Sequence, residues 1–199
     1  GSDFFFFLSG FNLLSTTLLL RYLNRLYFFS FFLLSEALPQ NRELNRELTK
    51  YKLLIDIFDE SLGWSLQDMI NEGDADAIKK TNIAQPYIFA ISYCYGLESV
   101  NKYGNADALI GHSLGEYTAL AISGFFDYVD ALKIISVRGE AMQESVENSD
   151  TGMAAVLTTD LKATLKEIEV LNSQDIEVWI SNYNDASQIV ISSSGIIRK

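Results

Sequence analysis

The sequence holds a single cysteine and a single histidine in 199 residues, and only 15 Lys and Arg against 26 Asp and Glu. A lone Cys94 cannot close an internal disulfide; it suits a reducing compartment and reads as a small buried hydrophobe. One Cys and one His leave too few ligands for a zinc or other transition-metal site, so no metal is expected. A net charge of −11 argues against nucleic acid as a partner, because phosphate binding begins with a basic surface. An unbroken membrane-length apolar run is also missing. Asn12, Ser15, Thr16 and Thr17 interrupt the first hydrophobic stretch, and Arg21, Asn24 and Arg25 divide it from a second one of about a dozen residues. There is no basic start, no small-residue cleavage site, and no Met before Met69.

What is present changes character near residue 40. Twenty of the first 40 residues are Phe or Leu, and only four more Phe follow. Asp3, Glu36, Arg21 and Arg25 sum to zero, so the remaining 159 residues carry the whole net charge. Residues 1–40 therefore read as an atypical Phe/Leu-rich segment, foreign to the globular part and dispensable for its fold, such as the edge of a fragmentary or frame-shifted reading frame. A membrane anchor and an amphipathic helical extension are the alternatives, and a membrane is a partner only if the anchor reading holds. Periodicity does not separate them, because a Phe/Leu-rich string satisfies most templates.

From Asn41 the pattern is that of an α/β protein. Helical spacing of Leu44, Leu48, Leu54, Ile57 and Phe58 predicts a helix over 43–60, and a short one follows over 65–70. Asn82 to Pro86 reads as a loop ending in a helix that starts at Pro86 and runs towards Val100. Ala106 to Ile110 reads as a buried strand and Gly115 to Ser123 as a helix. A second helix, opened by Asp127 and Asp130, reaches about Val146. After Gly152 the order is strand, helix, strand, strand, which is most of a ferredoxin-like unit. The expected division is 1–40, a large subdomain over 41–150, and a small subdomain over 151–199 that stops before its last helix and strand.

Gly111-His112-Ser113-Leu114-Gly115 fits G-x-S-x-G between a predicted strand and a predicted helix, the setting of a nucleophile elbow. So tight a turn needs small neighbours and leaves the serine Oγ at a helix N-terminus. There, free N–H groups, first that of Leu114, favour an oxyanion. Beside the nucleophile in sequence, His112 points away from it and is expected to be structural. Glu116 and Tyr117 read as helix and packing residues, and Glu140 and Glu144 as solvated faces. On the second helix Arg138 shares a face with Ala131, Ile134, Ile135, Ala141, Met142 and Ser145, so its guanidinium needs an anion, either a ligand or a structural acid.

These residues resemble the malonyl-CoA:acyl-carrier-protein transacylase family, which includes the acyltransferase domains of fatty acid and polyketide synthases. The likeness rests on Gly111 to Tyr117, on Ala84-Gln85-Pro86, and on Val137-Arg138-Gly139-Glu140-Ala141-Met142-Gln143. It continues through Gly152 to Val156, Ser181 to Asn184 and Ser187 to Ile191, in family order across 41–199. The resemblance implies a hydrolase-like parallel-sheet core with a nucleophile elbow plus an incomplete ferredoxin-like subdomain. It implies Ser113 as nucleophile, Leu114 N–H as oxyanion donor, and Arg138 as the grip on a malonyl carboxylate. Gln85 either lies near the acyl site or merely caps its helix. Malonyl-CoA and acyl-carrier protein follow as substrates, with no bound cofactor and a cytoplasmic setting. Two departures stand out: Gly1-Ser2 and the Phe-rich run replace the family's glycine- and glutamine-rich oxyanion loop, and the family's catalytic histidine falls past Lys199. The chain is therefore expected to turn over poorly. A serine hydrolase or thioesterase, and an inactive relative that only binds, are the competing readings.

Overall fold

The structure, a computed structural model, describes residues 26–30, 49–73, 76–147 and 151–194. The rest of the Phe/Leu-rich segment and the expected helical positions 43–48 lie outside the described residues. The chain divides into two compact units, with the boundary between Glu144 and Ser145.

In the first unit, strand β1 (Leu26–Ser30) pairs in parallel with β2 (Ala108–His112), Leu26 facing Ala108 and Ser30 facing His112. Parallel neighbours cannot be joined by a tight turn, and helices make the crossover here. Helix α1 (Lys52–Leu62) follows a 3-10 turn at Thr49–Tyr51 and ends at Gly63, whose φ of 73° a side chain would resist. Helix α2 (Leu66–Glu72) starts at Ser65, whose hydroxyl accepts the Asp68 N–H at 3.1 Å. Phe58 of α1 meets Trp64 edge to face at 4.7 Å between ring centroids.

Helix α3 (Thr81–Tyr103) is the hub of the core. Every residue from Ala84 to Ser92 is buried, so no face of that stretch is left to solvent. It begins five residues earlier than Pro86, where the sequence placed its start. The Ile83 and Ala84 N–H groups already bond to Lys80 O at 3.0 and 2.8 Å. Tertiary contacts explain the difference: Thr81 donates its N–H and its hydroxyl to Gln143 Oε1 at 2.9 and 3.1 Å, which holds a first turn that local sequence leaves weak. Pro86 then forfeits a single backbone hydrogen bond inside a helix anchored from outside.

Helix α4 (Leu114–Ile122) follows β2 after one residue and packs on α3 and on both strands. Helix α5 (Tyr128–Glu147) is capped by Asp127, whose carboxylate accepts the Asp130 N–H at 2.8 Å. Phe58, Tyr87, Phe89, Leu114, Leu132 and Ile135 are among the fully buried side chains of this core. Within the Phe/Leu-rich segment, the strand at Leu26–Ser30 pairs with the elbow strand.

The second unit holds β3 (Thr151–Leu157), α6 (Leu161–Ser173), β4 (Val178–Asp185) and β5 (Gln188–Ser194). Its sheet is antiparallel in the order β3-β5-β4, and α6 closes a small core of Ile168, Val178 and Ile189. Asp160 caps α6 by accepting the Ala163 N–H at 3.0 Å. Its shallow depression of about 400 Å³, lined by Asn172, Asp175, Glu177, Trp179 and Ser194, contains none of the sequence-predicted site residues. The architecture is thus α/β with a separate small antiparallel sheet. Among the described residues, no helix is long and apolar enough to cross a membrane.

Candidate functional site

Ser113 is the single residue between β2 and α4, and its backbone sits at φ 54°, ψ −115°. A non-glycine residue held there stores on the order of 1–3 kcal/mol of strain, which the strand and helix on either side must sustain. The glycines make the turn possible. A Cβ on Gly111 would collide with the backbone of Gly115 and Glu116, so strand and helix approach more closely than any side chain permits. Ser113 does not cap α4 with its hydroxyl, as serine at this position usually does; the side chain is exposed instead. Leu114 opens the helix, and its N–H has no acceptor within it. An anion forming at Ser113 would meet that N–H and the positive end of the helix.

From α5, Arg138 reaches this turn. Its Nη2 donates to Ser113 Oγ at 3.1 Å, and its Nη1 donates to Gln85 Oε1. The guanidinium lies 5.6 Å from the centroid of the Tyr117 ring. Gln85 is 1% exposed, and its amide nitrogen faces Met142 Sδ at 3.1 Å. Gln85 is therefore well inside α3 and bound to Arg138; the helix-cap alternative is set aside because the capping position is Lys80. The apolar stripe predicted around Arg138 is real on one side only. Ala131 and Ile135 are buried, whereas Ile134 and Met142 are exposed, so Arg138 is half-buried at the border. Its partners are a neutral amide and a hydroxyl. The ion pairs among the described residues use Lys52, Lys79 and Lys133 instead.

Two helices are braced where Arg138 emerges. A Cβ on Gly139 would stand 2.9 Å from Thr81 O and 3.0 Å from Asn82 Cα, so α3 and α5 touch backbone to backbone. Gln143, one turn further on, accepts both Thr81 hydrogen bonds. The four residues Arg138, Gly139, Met142 and Gln143 thus act on one junction, each by different chemistry.

His112 ends β2, opposite Ser30 in the neighbouring strand, and is half-buried. It makes no hydrogen bond to Ser113, as its place beside the elbow predicts. Glu116, Glu140 and Glu144 are exposed. Tyr117 and Met142 were not singled out as site residues by sequence reasoning. Their spacing was the available signal, since Tyr117 is four residues after Ser113 and Met142 four after Arg138. Cys94 is buried and remote in role; burial pushes its thiol up to about 12. Among the described residues, no group of three His, Cys, Asp or Glu could hold a metal ion.

A strained serine with an open oxyanion position and a cation at hand is arranged for making and breaking acyl esters. The protein-family model for the acyl transferase domain matches residues 53–195, and the chain belongs to that family. Among its relatives is the malonyl CoA-acyl carrier protein transacylase of Bacillus subtilis (strain 168), 35% identical over 161 residues, which are 80% of this chain and 50% of that protein. The acyl-carrier-protein-S-malonyltransferase of Bartonella henselae superposes with a TM-score of 0.67 at 28% identity, over 85% of this chain and 55% of that one. A malonyl-transacylase in complex with a type II PKS acyl-carrier protein gives 0.65 at 28% identity, over 72% of this chain and 46% of its own. The chain spans about half the length of the curated relatives it matches.

Proposed function

We propose that this chain is the serine-bearing part of a malonyl transferase, passing malonyl from malonyl-CoA to the phosphopantetheine thiol of acyl-carrier protein. Ser113 Oγ attacks the thioester carbonyl and gives up its proton to a base; coenzyme A leaves as the thiol, and a malonyl ester remains on Ser113. The carrier thiol then attacks that ester, and the serine recovers its proton. In both steps the tetrahedral oxyanion draws on the Leu114 N–H and the N-terminus of α4. The His112 ring makes no hydrogen bond to Ser113, so the base of this mechanism is a group other than His112.

One observation carries the reading: a guanidinium 3.1 Å from the nucleophile. In malonyl the free carboxylate is one methylene from the reacting carbonyl, so a cation beside Ser113 selects that acyl group over acetyl. Two fold details fit the same reading. The parallel β1-β2 pair with its elbow is proposed as the start of a hydrolase-like core. The β3-α6-β4-β5 unit, with β5 between β3 and β4, is proposed as the first part of a ferredoxin-like subdomain. A cytoplasmic setting accords with a buried free thiol.

The test is intact-mass measurement after incubation with malonyl-CoA or acetyl-CoA. Ser113→Ala should abolish the adduct. Arg138→Ala should slow malonylation relative to acetylation by about 1.5–3 kcal/mol, the range for hydrogen bonds to charged groups. An adduct surviving Ser113→Ala, or equal losses on both substrates, would overturn the proposal. Release of the acyl group to water in preference to a pantetheine thiol would make the protein a hydrolase.

A further inference from the structure

The carboxylate grip proposed for Arg138 leaves open where the guanidinium rests before an acyl group arrives. We propose that it rests on Ser113 itself, and that a carboxylated acyl group must draw it off the hydroxyl before the serine attacks. This rests on the reading of Arg138 as the carboxylate site and adds a gating step to it.

The guanidinium has little freedom. Its Nη1 is bound to Gln85 Oε1, its Nη2 donates to Ser113 Oγ at 3.1 Å, and it lies by the Tyr117 ring, so contacts from α3, from the elbow and from α4 determine its position. Gln85 is itself oriented. Its Nε2 faces Met142 Sδ at 3.1 Å, a weak acceptor that takes an N–H, which turns Oε1 towards Arg138. At 1% exposure that amide is buried, and both of its ends have a partner. Ser113, for its part, is not capping its helix, and among the described residues its hydroxyl accepts from Arg138.

The consequence is chemical. Attack on a thioester uses an Oγ lone pair, and a lone pair that accepts an N–H from a cation is a poorer nucleophile. A carboxylate is a better acceptor for the guanidinium fork than a neutral hydroxyl, because it brings a full negative charge to a cation now bound to a neutral amide and a neutral hydroxyl. Malonyl therefore supplies what frees the serine, with Gln85 as the retained pivot. Acetyl supplies nothing to exchange, and meets a serine still held. Selectivity then arises at release of the nucleophile as well as in binding of the acyl group.

The resting contact and the displacement can be read separately by NMR on the ¹⁵N-labelled full chain, without turnover. The Arg138 Nε–H resonance is the one lost in Arg138→Lys. Ser113→Ala and Ser113→Gly both remove the hydroxyl, and glycine does so with no strain at φ 54°. Both are expected to shift the Arg138 resonance in the absence of any added anion. Both should also bind free malonate roughly three- to tenfold more tightly than the native chain, since one hydrogen bond no longer has to be given up. An Arg138 resonance unmoved in both variants overturns the resting contact, however malonate behaves. A shifted resonance with unchanged or weaker malonate binding overturns the displacement while leaving the carboxylate site intact. Malonate that binds neither protein sinks the carboxylate site of the proposed function, and the displacement with it, while the resonance still decides the contact.

Discussion

Gly139→Ala sets two well-known effects against each other, and the sign of the outcome reports how closely α3 and α5 pack. In a helix interior, replacing Gly by Ala stabilises by roughly 0.8–1.0 kcal/mol through backbone entropy. At Gly139, however, the added methyl would stand 2.9 Å from Thr81 O and 3.0 Å from Asn82 Cα. Both are backbone atoms of the first turn of α3, and they cannot swing aside as a flexible side chain would. Overpacking of this kind costs typically 1–3 kcal/mol. The net expectation is destabilisation of up to about 2 kcal/mol, because the contact lies below the distance at which backbone and Cβ coexist. Urea unfolding of the variant should show a lower midpoint at unchanged slope. The exposed neighbour Glu140→Ala serves as the control for helix propensity alone. The site should respond as well. Forcing the helices apart moves Arg138 relative to Gln85 and Ser113, and misplacement by about 1 Å costs on the order of 100-fold in rate. Malonylation of Ser113 by intact mass should therefore fall more than stability does. A gain of about 1 kcal/mol with undiminished acylation would refute the reasoning, for it would show that propensity is all that Gly139 is subject to.

Gln143 accepts two hydrogen bonds from Thr81, so Gln143→Met should destabilise by about 1–2 kcal/mol in urea unfolding, while Gln143→Glu should keep both bonds and lose little. Equal losses for Met and Glu would mean that the accepting oxygen is not what matters. Burial raises the Cys94 thiol from 9.0 to about 12, and burial first, then the Glu98 carboxylate, raises Tyr51 from 10.0 to about 12. The unfolded chain ionises these groups first, so their stability contribution is complete below pH 9 and declines as pH climbs towards 12. For the thiol the slope reaches about 1.4 kcal/mol per pH unit. Cys94→Ala should flatten that decline between pH 9 and 10 in urea titrations, and an unchanged slope would show that the thiol is accessible in the folded state.

The elements that local chemistry dictates were legible in the chain. Gly111, Ser113 and Gly115 imposed a strand–turn–helix reading because only small residues allow so sharp a turn, and the turn is there with Ser113 at positive φ. Asp127 and Asp130 marked the start of α5 because a carboxylate satisfies N–H groups that a helix leaves open, and that bond is present. The family reading, carried by motifs around Gln85, Ser113 and Arg138, is borne out by the match over residues 53–195. Other features were decided only when distant segments met. The start of α3 was misplaced at Pro86, because its first turn is held by Gln143, 62 residues away. Nothing in the composition of Leu26–Ser30 distinguished a strand from the Phe/Leu-rich text around it; pairing with β2 is what makes it one. Arg138 was read as lying on an apolar stripe, and it lies at the border of the core, bound to Gln85 and Ser113. Spacing along a helix says which residues share a face, but not which neighbouring element that face meets. For Arg138, that meeting supplies both its partners and its chemistry.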